Sequence, residues 1–177
     1  MSAVDLRGDV VPIERGRDEV PKEAGLYAWW SRPGALPGIE GPGHPSSEYE
    51  LLYVGIARSG PTSRATLRSR VVGNHIRGTT GQSTLRRSLA ALLHEREEWR
   101  SRFTDRPLLV PEDEQRLTAW MEQHLGLTWA VHEEPWTVEG RVIAELMPPL
   151  NQSANSSHPL YRVVRDARSR WRLAAQR

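Results

Sequence analysis

Residues 138–151 read VEGRVIAELMPPLN, and the rest of the chain can be placed around them. Val142, Ile143, Leu146 and Met147 recur at helical spacing, so 138–147 is predicted to be an amphipathic helix stopped by Pro148 and Pro149. Glu139 precedes the first two by three and four residues, and a turn of ~100° per residue aims it at the middle of that stripe. A carboxylate there is costly unless it has a partner such as a metal or an arginine. The competing reading is a first-turn acid favoured by the helix dipole. Glu145 points away from the stripe and reads as solvated.

Outward from this helix the chain alternates short strands and helices. GLYAWW (25–30) and ELLYVGI (50–56) are predicted strands rich in aromatic and branched residues. The Pro/Gly-rich stretch between them is a long loop, so the pair forms a hairpin with a wide connection. Residues 62–73 form a short helix ended near Gly73, with Leu67 and Val71 four apart. Residues 83–99 form the clearest helix: Ser83 is its N-cap, and Leu85, Leu89, Leu92 and Leu93 are its stripe. PEDEQRLTAWMEQHL (111–125) opens with Pro and acids, as a helix should. LTWAVHE (127–133) reads as a third strand, and the tail from Leu160 as a helix.

With 177 residues the chain suits one domain, and 38% hydrophobic residues suffice for a core. The absence of cysteine excludes disulfides, thiolate zinc sites and cysteine nucleophiles, so any metal must sit on oxygen or nitrogen. A charged start and no run of 18 apolar residues point to a cytoplasmic protein without a membrane span. Net charge is only +2, yet it is unevenly spread. Residues 51–94 hold no acid but contain Arg58, Arg64, Arg68, Arg70, Arg77, Arg86 and Arg87. Residues 95–134 carry ten acids against five arginines, and the last sixteen residues carry six arginines against Asp166. The planar arginine fork suits phosphate. A solvated basic face is the alternative.

Gly25-Leu26-Tyr27, Tyr53-Val54-Gly55, Leu67 with Arg70, and Glu139 followed by Pro148 and Asn151 together resemble the GIY-YIG nuclease family, with the pieces in family order. The spacing from Glu139 to Pro148 and Asn151 is the most telling part. The gap between Tyr27 and Tyr53 is similar to that of restriction-type members. Leu26 and Val54 replace isoleucines, and Ala57 stands where a lysine often follows the second motif, a role Arg58 could take. The resemblance implies an α/β (α+β) fold: a small three-stranded antiparallel sheet flanked by helices, here with a helical insert at 95–126 and a C-terminal helix. The chain is then a single domain over 1–177, its core at about 22–152 and a basic helix at 153–177.

The same resemblance implies a metal-dependent endonuclease acting on phosphodiester bonds. Tyr27 would be the general base or its relay, Arg70 would offset charge on the phosphate, Tyr53 would hydrogen-bond in the same site, and Glu139 would hold one Mg²⁺ or Mn²⁺. His75 is either a proton-transfer residue or a packing histidine. Gly25, Gly55 and Asn151 would be structural residues beside the site. Arg58, Arg64, Arg68, Arg77, Arg86 and Arg87, together with Arg165, Arg168 and Arg172 of the tail, are the expected nucleic-acid contacts. In the tail, Val163, Val164, Ala167, Trp171 and Ala174 are expected to dock on the domain. Double-stranded DNA is the expected partner; a homodimer, an RNA substrate, or a binding module without turnover stay open.

Overall fold

The computed structural model describes residues 4–153 and 155–177. In chain order it contains β1 (Val11–Pro12), α1 (Ile13–Glu19), β2 (Gly25–Ser31), β3 (Glu50–Ala57) and a π-helix (Ser69–Ile76). There follow α2 (Thr84–Leu93), β4 (Ser101–Phe103), β5 (Pro107–Leu109), α3 (Pro111–His124) and β6 (Leu125–Val131). A 3-10 turn (Pro135–Thr137), α4 (Glu139–Leu146) and α5 (Tyr161–Ala175) complete the chain. The fold is α/β as expected, but the main sheet has four strands, ordered β1-β6-β2-β3 and antiparallel throughout. The extra strand is a two-residue edge formed by the segment ahead of Gly25.

β2 is paired on both sides and covered on both faces, which is why all seven of its residues are buried. Its alternation divides the core in two. Leu26, Ala28 and Trp30 pack with Val54 and with Val138, Val142 and Ile143 of the α4 region. Tyr27 and Trp29 face Leu67, Val71, Leu85, Leu89 and Trp171, contributed by the π-helix region, α2 and α5. Trp30 donates its indole N–H to Thr128 Oγ1 at 3.0 Å, and the Thr128 hydroxyl donates to the Leu6 carbonyl at 2.7 Å. Those two bonds hold the N-terminal segment across the sheet and satisfy buried polar atoms.

Four local expectations are corrected. The helix at 62–73 becomes a π-helix that runs through Gly73 to Ile76, because the wider turn absorbs an extra residue per hydrogen bond. The helix at 83–99 stops at Leu93; Trp99 bonds back to the His94 carbonyl and Glu98 sits at φ +53°. The insert at 95–126 is only partly helical: the short β4–β5 hairpin precedes α3. In α5, Val164, Ala167 and Trp171 are buried, but Val163 and Ala174 are exposed and do not dock. Among the described residues, no helix is long and apolar enough to cross a membrane.

The register sets Tyr27 opposite Gly55 and Trp29 opposite Tyr53. A side chain at Gly55 would place its Cβ 2.5 Å from the Tyr27 ring carbon Cζ, so only glycine lets that ring lie over β3. Gly25 is hemmed in likewise, by the Ala130 carbonyl and by Leu67 Cδ1 at 2.9 Å. Gly55→Ala should therefore cost about 1–3 kcal/mol through overpacking and displace the Tyr27 ring. Urea unfolding of the variant checks this; a midpoint equal to that of the parent protein would show that the ring is not confined by Gly55.

Candidate active site

The π-helix sets the geometry of the candidate site. Its i→i+5 bonding, closed by Arg77 N–H to the Val72 carbonyl at 2.9 Å, brings residues five apart nearly onto one face, and Arg70 and His75 are five apart. In an α-helix they would diverge. His75 is 1% exposed, and its ring lies among Tyr27, Trp29 and Tyr53, with centroid distances of 5.3, 5.9 and 6.1 Å. His75 Nε2 and the Tyr27 hydroxyl are 2.7 Å apart, and Nδ1 and Ser83 Oγ are 2.6 Å apart. The imidazole is thus held at both nitrogens.

Burial dominates the electrostatics of this group. It lowers the pKa of His75 to about 3, and the positive charges of Arg70 and Arg86 add to the effect, so the ring is neutral. Burial, reinforced by Tyr53, raises the Tyr27 phenol, while Arg70 pulls it back down. The Tyr53 phenol and the Glu139 carboxyl are raised by burial too, and in both cases Arg70 is the largest opposing influence. Tyr27, Tyr53, His75 and Glu139 therefore all lie within the field of one guanidinium. The five residues expected to be catalytic are brought together.

Tyr53 and Glu139 open onto a cleft of about 390 Å³ that Asn151, Arg87 and Arg168 also line. Tyr27, 0% exposed, does not line this cleft and belongs to the core. Glu139 begins α4, whose Val142 and Ile143 anchor the helix in the core, so the carboxylate is carried to the cleft edge. Glu145 is 66% exposed and faces Arg141 at 3.8 Å, as its position off the stripe predicted. Asn151 is buried and clamps β3 by accepting from Val54 N–H at 2.9 Å and donating to the Val54 carbonyl at 2.8 Å. These bonds fix β3 beside the cleft.

A family model described as the GIY-YIG catalytic domain matches residues 25–170. The chain belongs to the GIY-YIG catalytic-domain family. Neither the comparison with curated proteins nor that with solved structures found a match. The match spans every residue of the cluster above, from Gly25 to Asn151, and marks this GIY-YIG domain as a nuclease-family domain.

Within the GIY-YIG domain the donor set limits which metal could be held. Among the described residues no group of three or more His, Asp or Glu could hold an ion, and Glu139 has no ion-pair partner. A single unpaired carboxylate in an open cleft fits a hard cation that keeps most of its waters, such as Mg²⁺, and not zinc, which needs three or four protein ligands. The residues present fit the expected group.

The arginines divide into two sets. Arg86 is corrected outright: it is 0% exposed, paired with Glu114 Oε2 at 2.8 Å, and donates to the His75 carbonyl at 3.1 Å, so it cannot reach a phosphate. Arg68 spends Nη1 on the Asp18 and Val20 carbonyls. Arg64, Arg77, Arg165 and Arg172 are exposed, and Arg58, Arg87 and Arg168 are half-buried. Sequence reasoning missed Ser83 as a site residue. It is the expected N-cap, accepting from Arg86 N–H at 3.1 Å, but the same oxygen also holds His75. Glu114 was missed as well: it stands among the acids of the first turn of α3, but its spacing to Leu117 and Met121 puts it on the buried face.

The neutral state of His75 has a consequence for stability. Unfolded, the ring takes up a proton below its ordinary value of 6.5; folded, it does not until about pH 3. Its contribution is complete above pH 6.5 and is lost as pH falls through that window, by about 1.4 kcal/mol per pH unit. Urea unfolding at pH 7 and pH 5 should show a steeper loss for the parent protein than for His75→Asn. Parallel losses would mean that the ring titrates normally in the fold.

Proposed function

We propose that the protein is a metal-dependent endonuclease that hydrolyses phosphodiester bonds of double-stranded DNA. The observation that carries this reading is the hydrogen-bonded Tyr27–His75 pair lying with Glu139 in the field of Arg70. A phenol and an imidazole that are both neutral and 2.7 Å apart form a proton path. With Nδ1–H donated to Ser83, the free Nε2 lone pair of the neutral His75 accepts a hydrogen bond from the Tyr27 hydroxyl and orients the phenol, which would serve the attacking water as general base or its relay. Arg70 lowers the cost of the phenolate and offsets charge on the phosphoryl oxygens. Tyr53, at the mouth of the cleft, hydrogen-bonds the phosphate. Glu139 would hold the cation, Mg²⁺ or Mn²⁺, which when bound stabilises developing negative charge.

Duplex binding is assigned to arginines that the core leaves outside it. Arg58, Arg64 and Arg77 offer guanidiniums outside the core, and neutralising backbone phosphates is what a sequence-independent grip requires. Arg58 follows β3 at φ +79°, a conformation uncommon for a residue with a Cβ.

Incubated with Mg²⁺ and plasmid DNA, the parent protein and Glu145→Ala should cut, and Glu139→Ala should not. An active Glu139→Ala with a dead Glu145→Ala would move the metal to the other carboxylate. Tyr27→Phe and Arg70→Ala should each lower the single-turnover rate by at least ~10² while DNA affinity stays within a few-fold, since both act on charge that develops in the transition state. A Tyr27→Phe protein cutting at the parent rate would remove this phenol from the proton path.

A further inference from the structure

Beside the cleft lies a second groove of about 260 Å³, lined by Arg87, Arg106, Arg165, Arg168, Arg172 and Trp171. Arg87 and Arg168 line both hollows, so the groove continues the cleft that holds Tyr53 and Glu139. Its five guanidiniums come from three places: Arg87 from α2, Arg106 from the turn between β4 and β5, and the rest from α5. Trp171, fully buried and hydrogen-bonded through its indole to Ser101 Oγ at 2.7 Å, fixes α5 against that hairpin.

The arginines next to the cleft are held by neutral oxygens. Arg87 donates to the Thr80 and Gly81 carbonyls at 3.2 Å each, and Arg168 donates to Ser88 Oγ at 2.5 Å and weakly to the Thr84 carbonyl at 3.4 Å. Neither has a carboxylate partner among the described residues, and the buried Arg168 Nε has no hydrogen-bond partner. Arg172 lies over the Phe103 ring at 5.1 Å, which leaves the edge of its guanidinium free. The two nearby acids are peripheral: Asp105 and Asp166 are exposed and pair with Arg106 and Arg165. Burial lowers the pKa of both inner arginines, and like charge adds to it, from Arg106 on Arg87 and from Arg87 on Arg168. A row of guanidiniums that repel one another, with their donors left over, is complementary to an anion that passes along it.

We propose that this groove is a second phosphate subsite, which takes the backbone of the cleaved strand next to the bond that lies in the cleft. The subsite rests on the nuclease reading above, and it extends the site beyond position 170, where the family match ends. Its contacts are with phosphates and carry no base information. The β4–β5 hairpin and α5 thereby act as one wall, built around Trp171, that sets the direction in which the strand leaves the cleft.

The test uses the full chain carrying Arg165→Gln and Arg172→Gln, both exposed positions at which the fold should persist. In a Glu139→Ala background without metal, affinity for a fluorescent DNA duplex is measured across a salt series. Losing two phosphate contacts should lower the slope of log affinity against log salt by about 1.8, at roughly 0.9 per contact. In a second arm, the cutting protein is given duplexes in which one linkage at a time is an uncharged methylphosphonate. One position beside the cut should weaken binding at least ~5-fold in the parent protein and have no added effect in the double variant. An unchanged slope together with equal methylphosphonate penalties in both proteins would overturn the subsite while leaving the nuclease intact. A lowered slope in a protein that cuts no DNA would keep the subsite and sink the nuclease reading instead.

Discussion

The buried guanidinium of Arg86 is what the geometry of the candidate site depends on. It reaches from α2 to three other places: the Glu114 carboxylate and carbonyl on α3, the His75 carbonyl in the π-helix, and Thr118 Oγ1 one turn along α3. Glu114 in turn accepts from the Thr80 N–H and hydroxyl at 2.6 and 2.5 Å. A charge so deep in the protein is tolerable only with its partner in place, and removing one member of such a pair costs about 3–5 kcal/mol. The pair therefore forces α2, α3 and the end of the π-helix into one arrangement. His75 is carried by that arrangement: its backbone is bonded to Arg86, its ring to Ser83 at the head of the same α2, and its far nitrogen meets Tyr27. The insert that supplies Glu114 is thus part of the site's support.

Charge segregation along the chain takes on a different meaning once the partners are known. Two acids of the insert are buried and paired: Glu114 with Arg86, and Asp113 with Arg100 and Arg116 at 3.2 and 2.9 Å. The insert presents no acidic face to the cleft. The basic stretch behaves in the opposite way near the cleft, where Arg87 and Arg168 are held by carbonyls and hydroxyls and keep their charge uncompensated. Arg70 belongs with them, since its charge opposes the effect of burial on Tyr27, Tyr53 and Glu139 at once. What a net charge of +2 conceals is a local separation in which the buried acids Asp113 and Glu114 are paired and positive charge is left where a phosphate would enter.

The legible parts of the sequence were those where periodicity and side-chain type agree. β2, β3 and β6 are short runs of branched and aromatic residues, and α4 combines an apolar stripe with a proline stop, so the sheet and the helix that carries Glu139 could be placed from spacing alone. β1, β4 and β5 could not, because two or three residues show no period and owe their conformation to the strand or hairpin partner they meet. The π-helix was hidden for a related reason: over eight residues, one inserted position changes the phase too little to be told from a helix ended by Gly73.

Arg86 was hidden by a rule applied unevenly. Glu139 drew attention because a charge on an apolar stripe needs a partner. Arg86 obeys the same geometry: it lies three residues before Leu89 and seven before Leu93, both 0% exposed, so helical phase alone places it on the buried face of α2. Counting it with the surface arginines because they were numerous treated composition as position. A carboxylate on the buried side of a nearby helix follows from its burial, and among the acids at the start of 111–125, Glu114 lies three residues before Leu117 and seven before Met121, on the buried face of α3. The two charges that look anomalous on their own stripes answer each other, and the requirement that each be neutralised is what docks the insert against the catalytic core.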